Sequence, residues 1–166
     1  MGVLSSVNVL FVRIAFLFTL SYLVLKDVNI ILENSYLEIL SQSMNLPAIA
    51  MNKYSAQLGM VSMLFVTLAL GDLVPLLEDN KMYFGSAVPV RLLIFFVVTG
   101  LSYIWEGNLY IHNNVVFAYS FVEVWLNFII YNSLREEKME TFKAKSQVMA
   151  ASELLDEDDV VAAAAD

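Results

Sequence analysis

The chain has 166 residues, about one domain's worth. Hydrophobic residues make up 59% and charged residues 16%, and mean hydropathy is +0.68. An ordinary soluble domain has roughly 45–50% and about 25%, so this chain has too few polar groups to clothe a wet surface and reads as an all-α integral membrane protein. The absence of cysteine excludes a disulfide scaffold, thiolate catalysis, thiolate metal sites and S-palmitoylation. A net charge of -8 without a basic patch argues against nucleic acid as a partner.

Four apolar stretches succeed one another at about 9–25, 55–77, 87–111 and 115–134, each near the roughly 20 residues a spanning helix needs. The first carries Arg13 near its start. It lacks a basic leader and an A-x-A cleavage site, so it reads as a signal anchor. Residues 1–6 fit a myristoylation pattern that a neighbouring span makes redundant. Between the first and second spans, residues 28–50 place Val28, Ile31, Leu32, Tyr36, Ile39, Leu40 and Met44 at helical steps among polar residues. That pattern predicts an amphipathic helix at the membrane interface. Pro47, Pro75 and Pro89 are expected near element ends.

Residues 1–134 thus form a four-helix membrane domain. Residues 135–166 form an acidic tail, expected to be solvated, largely disordered and cytosolic. With four spans, the side bearing both termini also holds Lys81, Arg135, Lys138, Lys143 and Lys145, while the other side has Lys26 and Lys53. The positive-inside rule therefore makes both termini cytosolic.

The spans carry charges that lipid does not tolerate unpaired. At 1.5 Å per residue, Asp72 and Arg91 come out roughly 6–8 Å from the cytosolic boundary and Arg13 about 9 Å. These three are expected to form one polar cluster. Glu123 lies deeper, about 16 Å in, and shares a helix face with Tyr119, Asn127 and Tyr131. Two readings of its carboxyl stand open: it is neutral because of burial, or it pairs with Arg13 or Arg91. The favoured role for Arg13, Asp72, Arg91, Glu123 and Asn127 is structural glue between helices. The alternative is an ion or proton channel or transporter using the same charges, although internal repeats and broken mid-membrane helices are missing from the sequence. At the opposite interface, Glu106 and His112 sit with Trp105, Tyr110, Asn113 and Asn114. One histidine among scattered carboxylates is a poor metal site, so an aromatic belt with a capping turn is expected there. No nucleophile elbow, zinc-protease helix or phosphate loop is present. The chain is expected to be no enzyme, with no catalytic residue, metal or cofactor.

Several short stretches together resemble the fungal "increased loss of mitochondrial DNA" protein family. They are MNLP (44–47), KYSAQLG (53–59), DLVPLLE (72–78), VPVRLLIFF (88–96), YIWE (103–106), HNN (112–114), EVWLNF (123–128) and REEK (135–138). Lys53 and Ala56 depart mildly from that pattern, which has Arg and Gly there. The resemblance implies a small multi-span protein of the endoplasmic reticulum membrane, needed indirectly to maintain mitochondrial DNA. It names no reaction or ligand. The resulting expectation is a non-catalytic subunit or adaptor of a membrane complex, with membrane lipids and a larger membrane protein as partners and lipid supply between organelles as the connecting route. A lipid-binding or scrambling module is a further alternative.

Overall fold

The computed structural model describes residues 5–163, with side chains described from 5 to 149. Among the described residues the chain is all helix, with no strand. Helix α1 spans Ser6–Asp27. A short α2, Asn29–Leu32, and then α3, Ser35–Met44, come after it. The single amphipathic helix expected over 28–50 is therefore two, divided by Asn34, whose side chain accepts the Tyr36 N–H at 3.0 Å and starts α3 afresh. Asn45 closes α3 in the left-handed region, at φ 53. Irregular chain then leads to α4, Gln57–Leu77.

A tight turn joins α4 to α5, Lys81–Ile104. Asp79 adopts φ 50 in it, and Asn80 caps α5 by accepting the Tyr83 N–H at 3.1 Å. Helix α5 thus starts earlier and stops earlier than the 87–111 stretch expected. Pro75 and Pro89 lie inside α4 and α5, and four residues before each stands an exposed glycine, Gly71 or Gly85. The proline leaves that glycine's carbonyl without its usual helical donor.

Helix α6 runs Asn114–Ala163. The apolar pattern predicts an end at 134 and a largely disordered 135–166, whereas the backbone stays helical to Ala163 and residues 164–166 lie outside the described ones. The reason is local: no proline or glycine occurs after Gly107, and 135–155 is rich in Glu, Lys, Met, Ala and Leu, all strong helix formers.

Four helices contain a stretch long and apolar enough to cross a membrane: α1, α4, α5 and, within Asn114–Met149, α6. The chain is built as a multi-pass membrane protein. Helix α1 is the hub, packing most extensively on α4 and also on α6, while α5 packs on α6. Although consecutive, α4 and α5 touch little. The core has three apolar layers. Val9, Leu10, Phe84, Val88 and Ile130 fill the proximal one, nearest the chain's two ends. Ile14, Leu17 and Ala69 fill the middle, and Val24, Val28 and Leu58 the distal one.

Candidate functional site

Arg13 lies between the proximal and middle layers, on α1, and it is 1% exposed. Its guanidinium grips Glu123 of α6 with two prongs, Nε donating to Oε2 at 2.9 Å and Nη2 to Oε1 at 3.1 Å. The third nitrogen, Nη1, donates to Asp72 Oδ2 on α4. Asp72 Oδ1 in turn meets Arg91 Nη1 from α5. Arg91 Nη2 continues the chain to the Tyr83 hydroxyl at 3.0 Å. One arginine therefore ties three helices, and Asp72 adds the fourth. The fork geometry of arginine suits this, since it offers parallel donors that lysine lacks.

Each carboxylate oxygen has a partner, although Asp72 Oδ1 meets Arg91 Nη1 as an ion pair without hydrogen-bond geometry. Glu123 Oε1 also accepts the Tyr119 hydroxyl at 3.1 Å, and Oε2 accepts Asn127 Nδ2 at 2.9 Å. Two arginines face two carboxylates, so the network carries no net charge when all four are ionised. That is the condition under which burying such a cluster is tolerable. Asp72 and Glu123 are fully buried, and Arg91 keeps 20% of its side chain exposed. Tyr119 covers the distal side, its ring edge-on to Phe65 of α4 at 5.4 Å and to Phe95 of α5 at 5.8 Å. Three buried polar atoms of the network lack a hydrogen-bond partner: Asn127 Oδ1, and the ion-paired Asp72 Oδ1 and Arg91 Nη1.

The structure brings Arg13, Asp72, Arg91, Glu123 and Asn127 into one network. Glu123 goes to Arg13 and not to Arg91, because Arg91 reaches the opposite side of Asp72. The depth difference between Glu123 and Arg13 is spanned by the arginine's length. Tyr131, on the same predicted stripe, is exposed and takes no part. Tyr83 carries no sequence signal, because it precedes the apolar run that marks the third span.

At the distal end Glu106 and His112 differ in burial. Glu106 is exposed. His112 is buried, with Nδ1 at 2.9 Å from the Ser102 carbonyl, which pins the turn to the end of α5. Asn113 caps α6 by accepting the Val116 N–H at 2.9 Å. Asn114 holds the irregular chain before α4, its N–H donating to the Pro47 carbonyl at 3.2 Å and its Oδ1 accepting the Ile49 N–H at 3.3 Å. The HNN and MNLP stretches therefore meet. Among the described residues, no group of three or more His, Asp or Glu side chains is placed to hold a metal ion.

A second ionic tie closes the proximal end. Ser5 gives α1 no side-chain cap, and Glu137 of α6 does that work instead, its Oε1 accepting the Ser6 N–H at 2.9 Å. Glu137 Oε2 lies 3.4 Å from Lys81 Nζ at the start of α5. Burial pushes the Glu137 carboxyl up, but the Ser6 N–H and Lys81 outweigh it and hold the group below the ordinary carboxylate value. No sequence signal marks this tie, since Glu137 lies beyond the expected end of the last span.

The two ionic ties draw on residues from Ser6 to Glu137, and the comparisons cover the same stretch. A family model described as "Increased loss of mitochondrial DNA protein 1" matches residues 4–144. Protein ILM1 of Saccharomyces cerevisiae is 53% identical over 154 residues, which cover 93% of this chain and 76% of the relative. Protein ilm1 of Schizosaccharomyces pombe is 23% identical over 124 residues, covering 73% of this chain and 76% of that relative. No solved structure matches the chain. The matched region contains every residue of both ionic ties, and the chain belongs to the increased loss of mitochondrial DNA protein 1 family.

Proposed function

We propose that this protein is a non-catalytic subunit or adaptor of an endoplasmic reticulum membrane complex, with both termini in the cytosol. Its bearing on mitochondrial DNA is indirect, through lipid supply between organelles. The observation that carries this reading is the pairing of the buried carboxylates. Every oxygen of Asp72 and Glu123 meets a cation or a hydrogen-bond donor of the same bundle. A relay needs a carboxylate free to exchange a proton with water or the next group. A clasp needs one held by cations and donors of its own bundle; Glu123 is held so at both oxygens, and Asp72 is held between two arginines. The polar residues thus hold the bundle together, and the outer apolar faces of α4 and α5 remain for lipid and for a larger membrane protein. The family name supports a role in mitochondrial DNA maintenance.

The test is mild-detergent purification of the tagged full-length protein, with stoichiometry read by mass spectrometry. A larger membrane protein in fixed ratio is expected. A lone monomer or a homo-oligomer overturns the adaptor reading.

A further inference from the structure

The stretch of α6 just beyond the bundle has two chemically opposite faces. At about 100° per residue, Arg135, Lys138, Lys143 and Lys145 fall with Met139 and Phe142 inside an arc of about 160°. Glu136, Glu137 and Glu140 fall on the other side. Glu137 fixes the helix's rotation, because Ser6 and Lys81 hold it toward the starts of α1 and α5. The basic face therefore looks away from the bundle. Its four cations are exposed, as are Met139 at 53% and Phe142 at 70%. Net charge conceals this face, since the acids opposite nearly cancel it.

We propose that this face binds the anionic headgroups of the protein's own membrane, around the point where α6 leaves it. Basic side chains interleaved with large apolar ones immediately beyond a spanning helix match such a surface in charge and in polarity. The reach is sufficient. Ser6 and Lys81, the first residues of α1 and α5, stand level with Glu137 and mark the edge of the bundle. Lys145 rises about 12 Å above that level. Helical side chains lean toward the helix N-terminus, which for α6 is the membrane side. A lysine arm of about 6 Å then brings its ammonium down to the headgroup layer. A second copy is a poor occupant, because two identical basic faces repel. Residues 150–166 carry only acidic charges, so the surface that attracts 135–149 repels the rest of the chain beyond it. This binding goes beyond the adaptor reading and does not depend on it.

The chain's lack of cysteine permits a clean test. Ser146 lies within the basic arc and is exposed. The full-length Ser146→Cys protein is labelled with an environment-sensitive fluorophore and placed in nanodiscs of phosphatidylcholine, alone or with phosphatidylserine. Expected in the phosphatidylserine discs only are a blue shift and protection from an aqueous quencher, both reversed by high salt. Combining Lys138→Glu, Lys143→Glu and Lys145→Glu should abolish the response, and the charge-removing Glu140→Gln on the opposite face should leave it. The salt reversal needs no further variant, so it tests the proposal even if the triple change disturbs folding. Equal emission in both discs, or a response that survives charge reversal in a folded triple variant, overturns the proposal.

Discussion

Arg13 holds two carboxylates that no water can solvate. Truncating it leaves Glu123 without a cation, and unpairing a buried ion typically costs about 3–5 kcal/mol. Arg13→Met should therefore lower the thermal unfolding midpoint in detergent by a large margin. Arg13→Lys should recover only part of the loss, because an ammonium cannot reproduce the two-pronged grip. The arrangement also predicts a rescue. Removing Arg13 and Glu123 together leaves Asp72 with Arg91, again a balanced pair, so Arg13→Met with Glu123→Met should be clearly more stable than Arg13→Met alone. A double variant whose loss equals the sum of the single losses would show that the two residues do not act as a unit. Glu137 offers a second handle. Its folded pKa is depressed, so its contribution is present above the ordinary carboxylate value and is lost as pH falls through the lowered one. Glu137→Gln should therefore cost stability near neutral pH and progressively less as the pH falls below the ordinary carboxylate value. An unfolding midpoint difference that stays constant over that range would contradict the tie to Ser6 and Lys81.

At the scale of elements, caps decide where these helices begin. Asn34, Asn80 and Asn113 each accept a backbone N–H at a helix start, doing in turn regions what apolar spans cannot do for themselves. Asn113→Ala should cost about 0.5–2 kcal/mol and loosen the distal turn, visible as faster amide exchange at 105–116. Unchanged exchange there would mean that His112 and Asn114 suffice. The four spans were legible because lipid demands long apolar runs, and Arg13, Asp72 and Arg91 could be placed in one layer from depth alone. Asn127 followed from helical spacing to Glu123. Other features had no such signal. Pro89 reads as a boundary in sequence, yet α5 continues through it, and that hid Tyr83. The division of 28–50 hung on one side-chain bond from Asn34. The helicity of 135–163 was masked by its acidity, which suggests solvation more strongly than its good helix formers suggest order.

At the scale of the molecule, sequence order and spatial order differ. The tight turn between α4 and α5 invites the assumption that they pack as a hairpin, but α4 lies against α1, and α5 against α6. Apolar runs that are hydrophobic all round carry no periodic sign of which face is inward, so this order could not be read from patterning. Small polar residues reveal it instead. Ser21 of α1 and Ser62 of α4 meet with their Oγ atoms 2.6 Å apart, and the Ser62 hydroxyl also lies 3.2 Å from the Ser21 carbonyl. Such small side chains let two helices approach closely in lipid. A disulfide demands Cβ atoms roughly 3.5–4.5 Å apart, a separation within reach of two side chains whose Oγ atoms touch. Ser21→Cys with Ser62→Cys, in a chain free of other cysteines, should therefore oxidise to an intramolecular cross-link in the membrane, identified as a linked peptide by mass spectrometry. Its unfolding midpoint should rise, since the bond closes a loop of some forty residues in the unfolded chain. If the pair stays reduced under oxidant while each thiol remains open to alkylation, α1 does not lie beside α4. The hub arrangement, and with it the placement of Arg13 among three helices, would then be wrong.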